Sequence, residues 1–158
     1  ALMGQNSDGL EILNIDRSSY RLRIIHSIFN RNYTDKLLED SCAELNLNGI
    51  NNSQITITAV PGALEIPFLI RTILKIEDCD GILALGCVIR GETYHFEIVA
   101  TESAKGIREA SCEKNIPCIN GVLTVENKSQ AYERSLTKGR GFAQALIYMV
   151  DLSKSLEK

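Results

Sequence analysis

Four short β-branched apolar runs, each followed by a longer stretch with helical spacing, predict a single-domain α/β fold: a doubly wound, four-stranded parallel sheet with helices on both faces. Two further observations support this reading. The third run, residues 81–89, is apolar at nearly every position, as expected of a strand covered on both faces. The connections are a few residues long, with no linker, internal repeat or low-complexity segment between them.

Residues 1–20 carry Gly4, Gly9 and few apolar side chains, and are expected to form an arm that is poorly ordered unless a neighbouring subunit pairs with it. The α/β domain then takes residues 21–158. Residues 22–28 read as its first strand; Leu37, Leu38, Cys42 and Leu45 recur at helical spacing before Gly49 supplies a stop. Residues 54–60 read as the second strand and Pro61-Gly62 turns the chain. A helix over 64–76 follows, tolerating Pro67 because a first-turn residue has no intrahelical N–H bond to lose. After the third strand a long helix is expected over 94–114, a fourth strand over 117–125, and a helical C-terminal part to about residue 156, broken near Lys138-Gly139-Arg140-Gly141. The β-α order with right-handed crossovers gives a parallel sheet.

The chain has 158 residues, 44% hydrophobic and 23% charged, enough apolar material for the core of one domain. A net charge of −3 provides no diffuse basic field, so neither nucleic acid nor an anionic membrane is an expected partner, and any anionic ligand must meet positive charge locally. The 5 cysteines are scattered, without a CxxC pair or a His-Cys ligand spacing, which suits a reduced compartment and no metal site. No run approaches the roughly 18 apolar residues of a membrane span, and residues 1–10 lack a basic stretch followed by an apolar segment. The cytoplasm is the expected location.

Ligands of such sheets bind outside the carboxyl ends of the strands. Those places hold Phe29-Asn30, Pro61-Gly62-Ala63-Leu64-Glu65, Arg90-Gly91-Glu92-Thr93-Tyr94-His95, and Asn120-Gly121 within or near the end of the fourth strand. Together they offer an aromatic face, an amide, a carboxylate, an imidazole and a loop running into a helix N-terminus, whose free N–H groups favour a phosphate. The loop is neither a dinucleotide fingerprint nor a P-loop, since neither glycine spacing is present. His95 reads either as a proton-transfer group or as a surface or cap histidine. His26, inside a strand run, reads as a core or edge histidine without a catalytic role. Glu65 reads as a hydroxyl acceptor or as a carboxylate placed by the helix dipole. Phe29 reads as a stacking surface or as loop packing. Arg134, Lys138 and Arg140 form a basic cluster that reads as a solvated face unless an anion is bound there; Arg134 and Lys138 share a helix face if the helix continues between them.

Pro61-Gly62-Ala63-Leu64-Glu65-Ile66-Pro67 resembles the PGAxEIP turn of the lumazine synthase family. Gly86-Cys87-Val88-Ile89-Arg90-Gly91-Glu92-Thr93-Tyr94-His95-Phe96 resembles its GxVIRGxTxHF segment. The likeness extends over about residues 20–155 and implies a flavodoxin-like fold and the condensation of 5-amino-6-(D-ribitylamino)uracil with 3,4-dihydroxy-2-butanone 4-phosphate, a reaction that needs no metal or redox cofactor. It implies that Phe29 stacks on the pyrimidine, that Asn30, the Ala63 and Leu64 backbone and Glu65 bind the ribityl chain, and that Cys87, Val88 and Ile89 give main-chain contacts to the uracil. Glu92 and Thr93 would offer amides to the phosphate and His95 would shuttle protons. The resemblance also implies a homopentamer with each site between two subunits, in which Asn120, Arg134 and Lys138 come from the neighbour and Arg134 pairs with the phosphate. Asn120 stands where many members carry an aromatic residue. Two alternatives remain open: a same-fold riboflavin synthase relative that dismutates two lumazines, and a non-catalytic flavin- or ribityl-binding shell protein. A flavodoxin-like electron carrier fits less well because Asn30-Arg31-Asn32-Tyr33-Thr34 has no glycine, and a response regulator because paired acidic residues after the first strand are missing.

Overall fold

Each apolar run becomes a parallel strand in the computed structural model, which describes residues 9–157. The strands are β1 (Leu22–Ser27), β2 (Ile55–Val60), β3 (Gly81–Ile89) and β4 (Cys118–Val125), in the order β2-β1-β3-β4. Leu22 pairs with both Ile55 and Gly81, and Ile82 pairs with Cys118. The doubly wound parallel sheet expected from the sequence is therefore present.

The all-apolar character of β3 follows from its position. It has a strand on each side, and residues 81–87 are buried. Alternate side chains divide between two cores, because successive Cβ atoms of a strand point to opposite faces. Leu83, Leu85 and Cys87 join Leu37 and Leu45 of α1 (Arg31–Leu47), Ala131 of α4 (Lys128–Ser135), and Leu146 and Ile147 of α5 (Lys138–Leu156). Ile82 and Ala84 join Ile66, Ile70 and Ile73 of α2 (Ile66–Ile76) and Ile107 and Ala110 of α3 (His95–Lys114). None of the helices among the described residues is long and apolar enough to cross a membrane.

The expected helix boundaries hold with two differences. Residues 63–65 form a 3-10 turn and α2 proper begins at Ile66, with Pro67 in its first turn as anticipated. The C-terminal break lies at Leu136-Thr137, upstream of the glycine pair on which it was expected. Gly139 does not break the helix; it sits in the first turn of α5, where an added Cβ would lie 2.5 Å from the Leu37 carbonyl oxygen of α1. The glycine permits close helix contact, which the Ser41 hydroxyl reinforces by donating to the Gly139 carbonyl at 2.9 Å. Arg134 and Lys138 accordingly stand on separate helices, and the shared helix face does not form.

Of the expected arm, residues 1–8 lie outside the described residues. Further along, Ile12, Arg17 and Tyr20 are buried. Arg17 donates to both carboxylate oxygens of Asp151 on α5 at 3.0 and 2.7 Å and to the carbonyls of Leu13 and Asn48; the Tyr20 hydroxyl donates to the same Asp151 at 2.6 Å. His26 is a half-buried β1 residue whose Nδ1 is buried without a hydrogen-bond partner.

Candidate functional site

The strand order places the topological switch point between β1 and β3, and the crevice at their carboxyl ends gathers most of the expected residues. After β1 the chain remains bonded to the β2 turn: Ile28 N–H donates to Val60 O at 2.8 Å and Phe29 N–H to Pro61 O at 2.9 Å. This sets the Phe29 ring on Gly62, where a Cβ would stand only 2.9 Å from the ring. Glycine is what lets the ring lie down there. Its other face is open, with the residue 63% exposed.

Asn30 follows in the left-handed region at φ 61, a conformation asparagine tolerates better than most residues. That geometry sends its side-chain amide across the crevice to donate to the Cys87 carbonyl at 2.7 Å. Cys87 takes part through its backbone, since burial pushes its thiol up to about 11 and keeps it neutral. Val88 and Ile89 are half-buried at the end of β3. On the β2 side, Ala63 is buried, Leu64 and Glu65 are exposed, and Glu65 Oε1 accepts from Gly62 N–H at 2.9 Å.

Residues 90–95 close the crevice and are all exposed. They run into α3, whose start carries no side-chain cap on its first residue's N–H groups apart from a 3.4 Å contact of His95 N–H with Thr93 Oγ1. The first amides of a helix have no intrahelical acceptor and stand at the positive end of its dipole, so this start, with Glu92, Thr93 and His95 beside it, suits an anion.

Three expected residues do not join this rim within one chain. Asn120 is the third residue of β4, level with Ala84 and not near the strand's end; its Oδ1 accepts from Val122 N–H at 3.0 Å. The fourth strand ends at Val125, as expected. Arg134 closes α4 and Lys138 opens α5, both exposed, on helices packed against the sheet face opposite α3.

The rim also holds a cluster that sequence reading missed. Arg90 Nε donates to Glu126 at 2.9 and 3.1 Å, its Nη1 donates to Glu97, and its guanidinium lies 4.3 Å from the Phe96 ring centroid. Glu97 follows Arg90 by seven residues, but Glu126 comes from the far end of β4 and no local pattern announces it. Among the described residues no group of three His, Cys, Asp or Glu side chains is placed to hold a metal.

A parallel four-stranded sheet in the order β2-β1-β3-β4, with a switch-point crevice rimmed by an exposed aromatic, a carboxylate and a helix start, marks a doubly wound α/β protein. The family model for 6,7-dimethyl-8-ribityllumazine synthase matches residues 19–154, and the chain belongs to that enzyme family. It is 43% identical over 136 residues to the 6,7-dimethyl-8-ribityllumazine synthase of Methylibium petroleiphilum, covering 86% of this chain and 85% of the relative. The enzyme of the same name from Leptothrix cholodnii is 39% identical over 152 residues, covering 96% and 99%. That from Nitrosomonas europaea is 41% identical over 145 residues, covering 92% and 88%.

Proposed function

We propose that this protein condenses 5-amino-6-(D-ribitylamino)uracil with 3,4-dihydroxy-2-butanone 4-phosphate to 6,7-dimethyl-8-ribityllumazine, releasing phosphate and water in the penultimate step of riboflavin biosynthesis. The observation that carries the reading is the presence of the open Phe29 ring and the uncapped start of α3 on one rim, in a chain matched over residues 19–154 by the family.

Phe29 stacks on the pyrimidine; Asn30, the Ala63-Leu64 backbone and Glu65 bind the ribityl hydroxyls; the main chain of Cys87, Val88 and Ile89 meets the uracil edge. Glu92 and Thr93 present amides to the phosphate. The 5-amino group attacks the ketone, the carbinolamine loses water to an imine, phosphate leaves, and the ribitylamino nitrogen closes the second ring with loss of water. His95 shuttles the protons, a role that contributes roughly 10²- to 10⁴-fold, while holding the two substrates together supplies the larger share.

Asn120, Arg134 and Lys138 complete the neighbour's site in a homopentamer. Their positions away from the rim of their own chain support this reading, as does the commitment of Arg90, next to the α3 start, to two carboxylates. Arg134 then supplies the directed guanidinium bonds to phosphate that a protein of net charge −3 must place locally. The protein works in the cytoplasm, where its 5 free cysteines stay reduced.

Mixing the two substrates with the purified protein should produce lumazine fluorescence and an equal amount of free phosphate. Lumazine binding with no condensation would favour a shell protein, and riboflavin formed from purified lumazine would favour the riboflavin synthase alternative.

A further inference from the structure

Arg90 immediately precedes the glycine of the phosphate-seat loop, yet its charge is spent on the protein. Nε is shared between the two oxygens of Glu126 at 2.9 and 3.1 Å, Nη1 reaches Glu97 in the first turn of α3, and the backbone N–H donates to Val125 O at 2.9 Å. Hydrogen bonding to Arg90 holds the Glu97 carboxyl below the usual carboxylate range, and bonds to Glu97 and Glu126 raise the guanidinium, which favours the charged forms of Glu97 and Arg90. Two carboxylates therefore flank the helix start that is to receive a phosphate dianion. The guanidinium between them reduces their repulsion of it.

We infer that Arg90 is a positioning residue for the keto-phosphate, neutralising Glu97 and Glu126 beside the start of α3 while it clamps the loop to β4. This rests on the proposed condensation, because it takes the α3 start as the phosphate seat. The guanidinium does not touch the phosphate. It acts by cancelling a field that would otherwise expel it, and by stacking on Phe96, which fixes its plane.

The test is steady-state kinetics of the assembled protein, with inorganic phosphate as competitive probe. Arg90→Gln should raise the KM for the keto-phosphate and weaken phosphate binding by about tenfold, leaving kcat and the uracil KM within about twofold, as expected for lost charge compensation at an exposed site. The effect should shrink between about 0.01 M and 1 M salt, as the screening length falls from roughly 30 to 3 Å. Adding Glu97→Gln and Glu126→Gln to Arg90→Gln should restore phosphate binding, and Arg90→Lys should keep most of it. An unchanged phosphate constant, a lysine variant no better than glutamine, or equal losses in kcat and both KM values would overturn the inference. A wild-type protein that makes no lumazine would instead sink the proposed condensation, and calorimetric phosphate binding by the same variants would still decide the role of Arg90.

Discussion

The side-chain amide of Asn30 donates to the carbonyl of Cys87 at 2.7 Å, joining the end of β1 to β3 across the mouth of the crevice. A residue at φ 61 makes that bond, so the substitution has two separable costs. Losing a hydrogen bond costs about 0.5–1.5 kcal/mol, and placing alanine in the left-handed region roughly 1–2 more. Asn30→Ala should therefore be destabilised more than Asn30→Gly, which loses only the bond. Both should raise the uracil KM. Chemical denaturation of the two variants checks the order, and equal midpoints would show that the left-handed backbone carries no cost.

How far this crevice could be read beforehand depended on the range of the forces involved. β3 was legible because residues 81–89 are apolar at nearly every position, as a short strand covered on both faces requires. Phe29, Asn30, Glu65 and His95 were legible because the strand-end rule needs only local order. Contacts between distant residues were not. Arg17 meets Asp151 across 134 residues and Arg90 meets Glu126 across 36, and neither pair leaves a periodic trace. Gly139 read as a helix breaker because its use, room for the Leu37 carbonyl, belongs to another helix. Asn120 was legible as a residue of the fourth strand, but not the register that sets it level with Ala84, since pairing joins residues 36 apart in sequence.

His95 stands exposed at the first position of α3, beside the proposed phosphate seat. His95→Ala should lower kcat by about 10²-fold or more while uracil affinity and thermal stability stay close to wild type, since an imidazole acting on transferring protons contributes little to ring binding. Single-turnover kinetics with calorimetry of the uracil substrate separate these quantities. Undiminished turnover would remove His95 from the proton path.

Arg134 and His95 lie on helices packed against opposite faces of the sheet, so in a shared-site ring they serve different sites. Arg134→Ala should chiefly raise the keto-phosphate KM. When His95→Ala and Arg134→Ala chains are refolded together in equal amounts, about a quarter of the interfaces of a heterologous ring pair an intact His95 with an intact Arg134. Activity of the mixture should rise well above that of either variant alone. A mixture no more active than the mean of its components would mean that each site is built within one chain.

Tyr20 is buried against Asp151, and its hydroxyl donates to that carboxylate at 2.6 Å. Burial first, and then the hydrogen bond to Asp151, push the phenol well above the ordinary tyrosine value of about 10. The folded state thus holds this proton more tightly than the unfolded chain does. The stabilisation is complete below the unfolded pKa and is lost as pH rises through the folded one. Cys79 and Cys87, raised to about 11, and Cys118, raised to about 12, act in the same direction, beginning near the free-thiol range. Thermal stability should accordingly fall from about pH 9 upward, more steeply above about pH 10 where unfolded tyrosine ionises. Tyr20→Phe should be less stable at pH 7, because the half-buried Asp151 loses a donor, yet should show a shallower decline above about pH 10. Melting curves from about pH 7 to about pH 11, one unit beyond the free tyrosine pKa, distinguish the two. Parallel declines in wild type and variant would mean that the hydroxyl of Tyr20 does not govern the alkaline limb.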